Sequence, residues 1–495
     1  MKTQENDKIE QEKKEKIIKK VSGWRPSKIT SASPLIQVDY EIILTENSEA
    51  FFVQQGIILN IKKMEDAEDY EKFLNLEMIE KLEWKGKYDE QGQRFGKWKG
   101  YWANEQTKLE GIYNKGQKLG IWIEPWQNYW SGCIVTFEGQ YDEIGRKVEN
   151  WKYRNEQNAE LGGGYFNNDG LKIGIWKELH ISYNENLNQS TIRGLYNKGI
   201  RQGEWVIEYN NKYIGGGQYD FNGQKIGMWT EQIDRFWNHN QSTLSGRYNN
   251  SGMKSGQWEI YWYWNGINKK IGGGYYNDKG NKIGQWIEQI DGFWNYNQTT
   301  LIGNYSEQGK KTGIWEIYFL DSFSNKPNNR IGGGQYNEEG IKNGRWEEIS
   351  DEYWSYNQSI YIGEYKQGQK IGVWELIFKD YITANFQKIG DGEYDQQGIK
   401  IGLWVEQVDG FNYWNQSIIR GTYNNQGIKE GKWEINWNWN GETYKIGGGQ
   451  YDDFGHKTGV WIEQKDDFEC SKKYILEGEY HQGIKLGQWE ESEIL

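Results

Sequence analysis

Residues 274–288 read Gly-Tyr-Tyr-Asn-Asp-Lys-Gly-Asn-Lys-Ile-Gly-Gln-Trp-Ile-Glu, and their frame recurs along most of the chain. The frame is Gly-x-Tyr, a few polar residues, Gly-x-Lys-x-Gly-x-Trp and then Glu, repeated from Gly86 to Glu490. Aromatic and β-branched residues at period two, as in Trp258-Glu259-Ile260-Tyr261-Trp262, read as strands. The Asn-Asp-Lys-Gly segment supplies residues that tolerate positive φ, which a tight reversal requires. One unit is therefore a β-hairpin. The glycine two residues before each tryptophan, Gly284 ahead of Trp286, is expected to let backbone or a ring approach closely. A lone hairpin is marginal, so the units must stack.

Fifteen units follow one another at a mean step of 28 residues, with tyrosines from Tyr88 to Tyr480 and tryptophans from Trp98 to Trp489. Tyr165 is read as the fourth tyrosine. The third unit is degenerate, with Val148-Glu149-Asn150 where Lys-x-Gly or its neighbours usually stand, and is expected to mark an irregularity. From the fourth onward, even units open with Gly-Gly-Gly, with Gly390-Asp391-Gly392 departing slightly, and carry Glu two residues after Trp, whereas odd units mostly carry it one residue after. A shift of one residue moves a strand side chain to the opposite face. The true repeat is thus a pair of unlike hairpins.

Even units run into a second signature, Glu-Gln-Ile-Asp-Gly-Phe-Trp-Asn-Tyr-Asn-Gln-Thr at Glu288–Thr299. Its Asp-Gly and Asn-Gln pieces read as turns around an aromatic tip: Phe236 with Trp237, Phe293 with Trp294, Tyr353 with Trp354, and Phe411 with Trp414. Two readings stand. The rings fold back over a sheet face, or they form exposed anchors for a partner, since Trp and Tyr dominate interface hot spots.

Gly-x-Tyr-x-x-x-Gly-x-Lys-x-Gly-x-Trp resembles the MORN repeat, in the variant seen in bacterial toxin-antitoxin-associated proteins. The resemblance covers about four-fifths of the chain. It departs in its longer step and in the aromatic tips. It implies scaffolding and protein binding, with cytoskeletal or membrane-associated partners. The Asn, Gln, Ile and Lys bias resembles that of AT-rich genomes such as those of ciliates.

The mean hydropathy of -0.96 is that of a very polar chain. Against disorder stand 28 Trp, 35 Tyr and 16 Phe placed periodically, each burying roughly 150 to 250 Å². The net charge of -12 disfavours nucleic acids and anionic membranes as partners. Cys133 and Cys470 make no disulfide framework, as a reducing compartment expects. Neither a signal-like apolar segment nor a membrane-length apolar run is present, so the expected location is cytoplasmic. The four histidines match no ligand spacing or triad. Recurrent Glu is read as an ion-pair partner of Lys in a neighbouring turn, such as Lys282 or Lys311 for Glu288. The glycine runs lack a following Gly-Lys-Ser/Thr and read as packing glycines. Asn-Gln-Ser/Thr at Asn188, Asn240, Asn297, Asn357 and Asn415 reads as turn chemistry rather than glycosylation.

The expected fold is all-β: an elongated antiparallel β-hairpin repeat solenoid over 86–495. A small N-terminal α+β cap at 35–85 precedes it, behind a charged tail and linker at 1–34. At 4.8 Å per strand, thirty strands span about 140 Å. The expected function is a non-enzymatic scaffold, without cofactor or metal, that binds protein through its sheet surface and tips. The alternative is a glycan- or choline-binding hairpin solenoid, since aromatic cages hold such cations.

Overall fold

The computed structural model describes residues 17–26, 35–44, 49–54, 57–63, 75–233, 236–321, 329–381, 384–439, 441–465 and 468–494. It is an all-β protein with a short helix near its N-terminus, which is the expected class. The chain forms two compact units, 1–243 with 248–252 and 244–247 with 253–495, the division falling inside the strand Gln241–Tyr248.

The first unit opens with a four-stranded antiparallel sheet, Ile17–Pro26, Leu35–Leu44, Glu49–Gln54 and Ile57–Lys63. The expectation of a tail and linker up to residue 34 is corrected here. Ile17–Pro26 is a strand in register with Leu35–Leu44 from Ile17↔Leu44 to Pro26↔Leu35. The β-branched residues among its lysines favour a strand once a partner exists, and Val21 packs on a core of Tyr40, Ile42, Phe52, Leu76 and Ile79. The charged residues 1–16 lie outside the described residues. The helical part of the expected cap is described at Leu76–Lys81, N-capped by Asn75, whose side chain accepts from the Met78 N–H; 64–74 lie outside the described residues. The helix runs straight into the strand Leu82–Tyr88 of the first repeat.

Within the first unit the strands from Leu82–Tyr88 to Lys225–Gln232 each pair antiparallel with the next. In the second, those from Lys254–Trp264 to Ile484–Glu493 do the same. In the hairpin of Ile267–Tyr276 and Lys282–Gln289, Tyr276 faces Lys282 and Tyr275 faces Ile283. The Asn277 side chain caps the turn, accepting from the N–H groups of Lys279 at 3.1 Å and Asn281 at 3.0 Å.

The tryptophan sits in a bulge. Gly273 pairs with Ile287 and Tyr275 with Ile283, so Gly284, Gln285 and Trp286 stand opposite Gly274 alone. The extra residues swing the indole back over the sheet. A Cβ on Gly274 would lie 2.4 Å from the Trp286 ring, whereas one on Gly284 would meet nothing within 4 Å. This reverses the expected roles. Gly284 is there for its φ of +63°, and the close approach is at the glycine of Gly-x-Tyr. In the degenerate third unit Glu149 adopts φ +61° itself, and Trp151 remains fully buried. The irregular sequence keeps the regular backbone.

In each triple glycine the middle residue has φ between +124° and +136°. Gly390-Asp391-Gly392 lacks it, because an Asp does not adopt that conformation readily. Its strand keeps only the Glu393↔Ile401 and Tyr394↔Lys400 pairs with the next one.

The result is a ladder on one face. Trp286 lies 1% exposed between Tyr276 at 5.0 Å and Tyr305 at 6.3 Å, both edge-on, with the Lys282 ammonium 4.5 Å above its ring. Glu288 on the same face pairs with Lys282, with Lys311 at 3.0 Å and with the Tyr305 hydroxyl at 2.7 Å, the ion pair expected from sequence. On odd strands the displaced glutamate faces the other way: Glu259 pairs with Lys270 at 2.6 Å, and Ile260 takes the buried place. At the fourth position the ladder uses Phe166, 5.0 Å from Trp176, while Tyr165 points outward and is 56% exposed. Tyr165 was the wrong choice between adjacent aromatics.

Candidate functional site

The connections from even tryptophan strands to the following strands are the aromatic tips, and there are seven among the described residues, each closed by a β-bridge such as Trp294↔Asn297. Their first aromatic is Tyr129, Tyr183, Phe236, Phe293, Tyr353, Phe411 or Phe468, all at most 4% exposed. Each stands edge-on against another ring: Phe236 on Tyr209 at 5.2 Å, Phe293 on Trp262 at 5.4 Å, Tyr353 on Phe319 at 5.2 Å and Phe411 on Phe378 at 5.1 Å. Five of the eight expected anchors, these four and Trp237, are therefore core. Tyr129, Tyr183 and Phe468 do the same and were missed, although their spacing of about 57 residues from the recognised tips was the signal for them.

The sequon asparagines support this second core. Asn188, Asn240, Asn297, Asn357 and Asn415 are all 3% exposed or less. Asn240, Asn297 and Asn357 each accept from the hydroxyl two residues on. Asn297 donates to the Tyr353 carbonyl at 2.6 Å, joining one tip to the next. Ser355 N–H to the Tyr296 carbonyl, Tyr413 N–H to Tyr356 and Cys470 N–H to Trp414 continue the joint through the second unit. In the first, Asn188 donates to the Phe236 carbonyl and Asn238 N–H to that of Leu187.

The second aromatic divides between the two units. In the first, Trp237 is buried, 8% exposed and 4.8 Å from His239. Trp294, Trp354 and Trp414 are only partly buried, and the second unit brings them together with rings that the sequence did not single out. Trp294 lies 6.2 Å from Trp354 and 4.9 Å from Tyr296. Trp354 lies 4.9 Å from Tyr356, and Tyr356 lies 4.4 Å from Trp414 and 5.0 Å from Tyr381. Tyr413 closes the group, 5.7 Å from Trp414 and 5.6 Å from Tyr381. Seven rings thus form one continuous, partly exposed aromatic strip.

Carboxylates border it. Burial, then Tyr381, Tyr296 and Asp321, push the Tyr356 hydroxyl above its usual range. Burial raises the Glu352 carboxyl too, and Asp409 and Asp351 add to the rise although the Gly410 N–H opposes it at 3.1 Å.

No family model and no curated protein matches this sequence. Among solved structures, a protein from Lactobacillus plantarum overlaps at 10% identity over 74% of this chain and 95% of its own, with a TM-score of 0.19. A eukaryotic initiation factor overlaps at 9% identity over 82% and 90%, with a TM-score of 0.22. A variant of the NanB sialidase from Streptococcus pneumoniae overlaps at 10% identity over 90% and 81%, also at 0.22. Scores this low carry no argument about fold or chemistry. The site stands on its own geometry: an aromatic-rich β-repeat whose tips divide their rings between core and surface. Among the described residues no three His, Cys, Asp or Glu side chains gather to hold a metal, and no helix is long and apolar enough to cross a membrane.

Proposed function

We propose that the protein is a non-enzymatic repeat scaffold, as the resemblance to MORN repeats implies, and that it binds a protein partner through the aromatic strip of its second unit. One observation carries this reading. In each tip around the strip one ring is committed to packing, Phe293, Tyr353 or Phe411, while Trp294, Trp354 and Trp414 remain partly exposed and contiguous. Large, rigid, amphipathic rings give contact area at little conformational cost. A cytoplasmic complex of cytoskeletal or membrane-associated proteins is the setting this reading expects.

The test is to replace Trp294, Trp354 and Trp414 together with Ser in the full chain and recover partners from native cells. The expected result is an unchanged circular dichroism spectrum with loss of a protein co-purified by the parent. Retention of that protein overturns the proposal. A second reading, binding of glycans or choline-like groups, is favoured by Tyr356 and Trp414 standing 4.4 Å apart at 45°. Capture of carbohydrate or choline-bearing material alone supports it over the first.

A further inference from the structure

The partner's chemistry is written into the border of the strip. The three tips of the strip, 290–298, 350–358 and 408–416, carry the carboxylates Asp291, Asp351, Glu352 and Asp409 and no Lys or Arg. Asp291, Asp351 and Asp409 are exposed. They occupy equivalent places in successive tips, two, two and two residues before Phe293, Tyr353 and Phe411, so the acidic border advances with the rings.

We infer that the occupant of the strip is an extended segment of a protein partner carrying Lys or Arg at alternate positions. The inference rests on reading the strip as a binding surface. Aromatic faces attract cations through the ring quadrupole, Trp most strongly, within about 6 Å of the centroid. The core of this chain uses that contact repeatedly, with Lys282 at 4.5 Å from the Trp286 centroid and Lys400 at 4.4 Å from that of Trp404. An extended chain puts every second side chain on one side at intervals of about 6.7 Å. That spacing matches the 6.2 Å between the Trp294 and Trp354 centroids. The carboxylates of the same tips add a long-range attraction that speeds encounter with a cationic segment and selects against acidic partners. A net charge of -12 acts in the same sense.

The probe is a ten-residue peptide of alternating Arg and Ser, with an alternating Glu and Ser peptide, choline and a soluble chito-oligosaccharide as comparators. Binding to the full chain is followed by titration calorimetry at two ionic strengths. The Arg peptide is expected to bind, and its affinity to fall about tenfold between low and high salt because exposed charges are screened. Replacing Asp291, Asp351 and Asp409 with Asn is expected to weaken it about tenfold. The same change in charge made at the exposed hairpin turns, Glu307, Glu338 and Glu339 to Gln, is expected to leave it unchanged. Equal weakening by both triple variants overturns the inference, since attraction would then be only to net charge.

The Trp294, Trp354, Trp414 to Ser variant separates the two levels. If it loses binding of native partners while the Asp variants retain it, the strip is the site but its occupant is not cationic. If it retains them, the strip itself is not the site and both readings fall. Stronger binding of choline or chito-oligosaccharide than of the peptide also overturns the protein occupant.

Discussion

Trp286 and Trp294 stand eight residues apart in one repeat and meet opposite fates. Trp286 is 1% exposed, laid over a glycine and roofed by a lysine, while Trp294 is held only in part, against Tyr296 and Trp354. Phe293, one residue earlier, is 2% exposed. A ring is committed to the fold when the backbone opposite provides a place for it. The bulge at Gly284 and the bare backbone at Gly274 provide that place for Trp286. The Trp262 ring provides it for Phe293. The remaining ring of the tip is available for other uses.

Substitutions test that division directly. Trp286→Ala and Phe293→Ala are each expected to cost about 3 to 5 kcal/mol, as loss of a fully buried aromatic does, whereas Trp294→Ser costs under about 1 kcal/mol. Denaturant midpoints of the three variants measure the contrast, and equal costs for Phe293 and Trp294 would break it. Next in size are the glycines. Gly274→Ala drives a methyl into the indole, with no nearby space to yield, and is expected to cost roughly 3 kcal/mol. Gly284→Ala meets open space and carries only the penalty of a left-handed backbone, about 1 kcal/mol. Thermal unfolding ranks the two.

The charged roof of the ladder gives a pH dependence. Glu124 is buried, which alone would raise its carboxyl, but Lys147 and Lys118 outweigh that and lower it to about 2 from 4.5. Glu178, Glu288, Glu348, Glu406 and Glu463 are lowered too, burial again opposing and their basic partners prevailing. A folded-state value depressed below the unfolded one stabilises the fold above the unfolded value. That stability is lost as the pH falls towards the folded value. Denaturant midpoints are therefore expected to hold down to about pH 5 and to fall steadily towards pH 2. A flat profile over that range would show that the buried pairs contribute nothing net.

The smallest effect sharpens the comparison from the packed side. Tyr353 fills the place that Phe fills at 236, 293, 411 and 468, and its hydroxyl is buried without a hydrogen bond among the described residues. Tyr353→Phe is expected to be neutral or to stabilise by up to about 1 kcal/mol. Destabilisation, read in the same midpoint assay, would mean that the hydroxyl has a partner in solution.

Much of the architecture was legible before any coordinates. The recurrence of Gly-x-Tyr and Lys-x-Gly-x-Trp determined hairpins, the polar Asn and Gly segments determined where the chain turns, and the one-residue displacement of Glu determined that alternate strands are unlike. These are properties of local backbone preference and of period two, which each repeat carries within itself. The tertiary structure decided the rest, because it turned on residues brought together from different repeats. Sequence identified Gly284 as special, but which glycine lies beneath an indole depends on how a bulge opposes the neighbouring strand. Tyr165 and Phe166 are adjacent aromatics, and only the register with Trp176 selects one. The tips displayed their aromatic pairs openly, yet Phe293 became core and Trp294 surface because Trp262, about thirty residues earlier, stands beneath one of them, and Trp354, sixty residues later, joins the other into a strip.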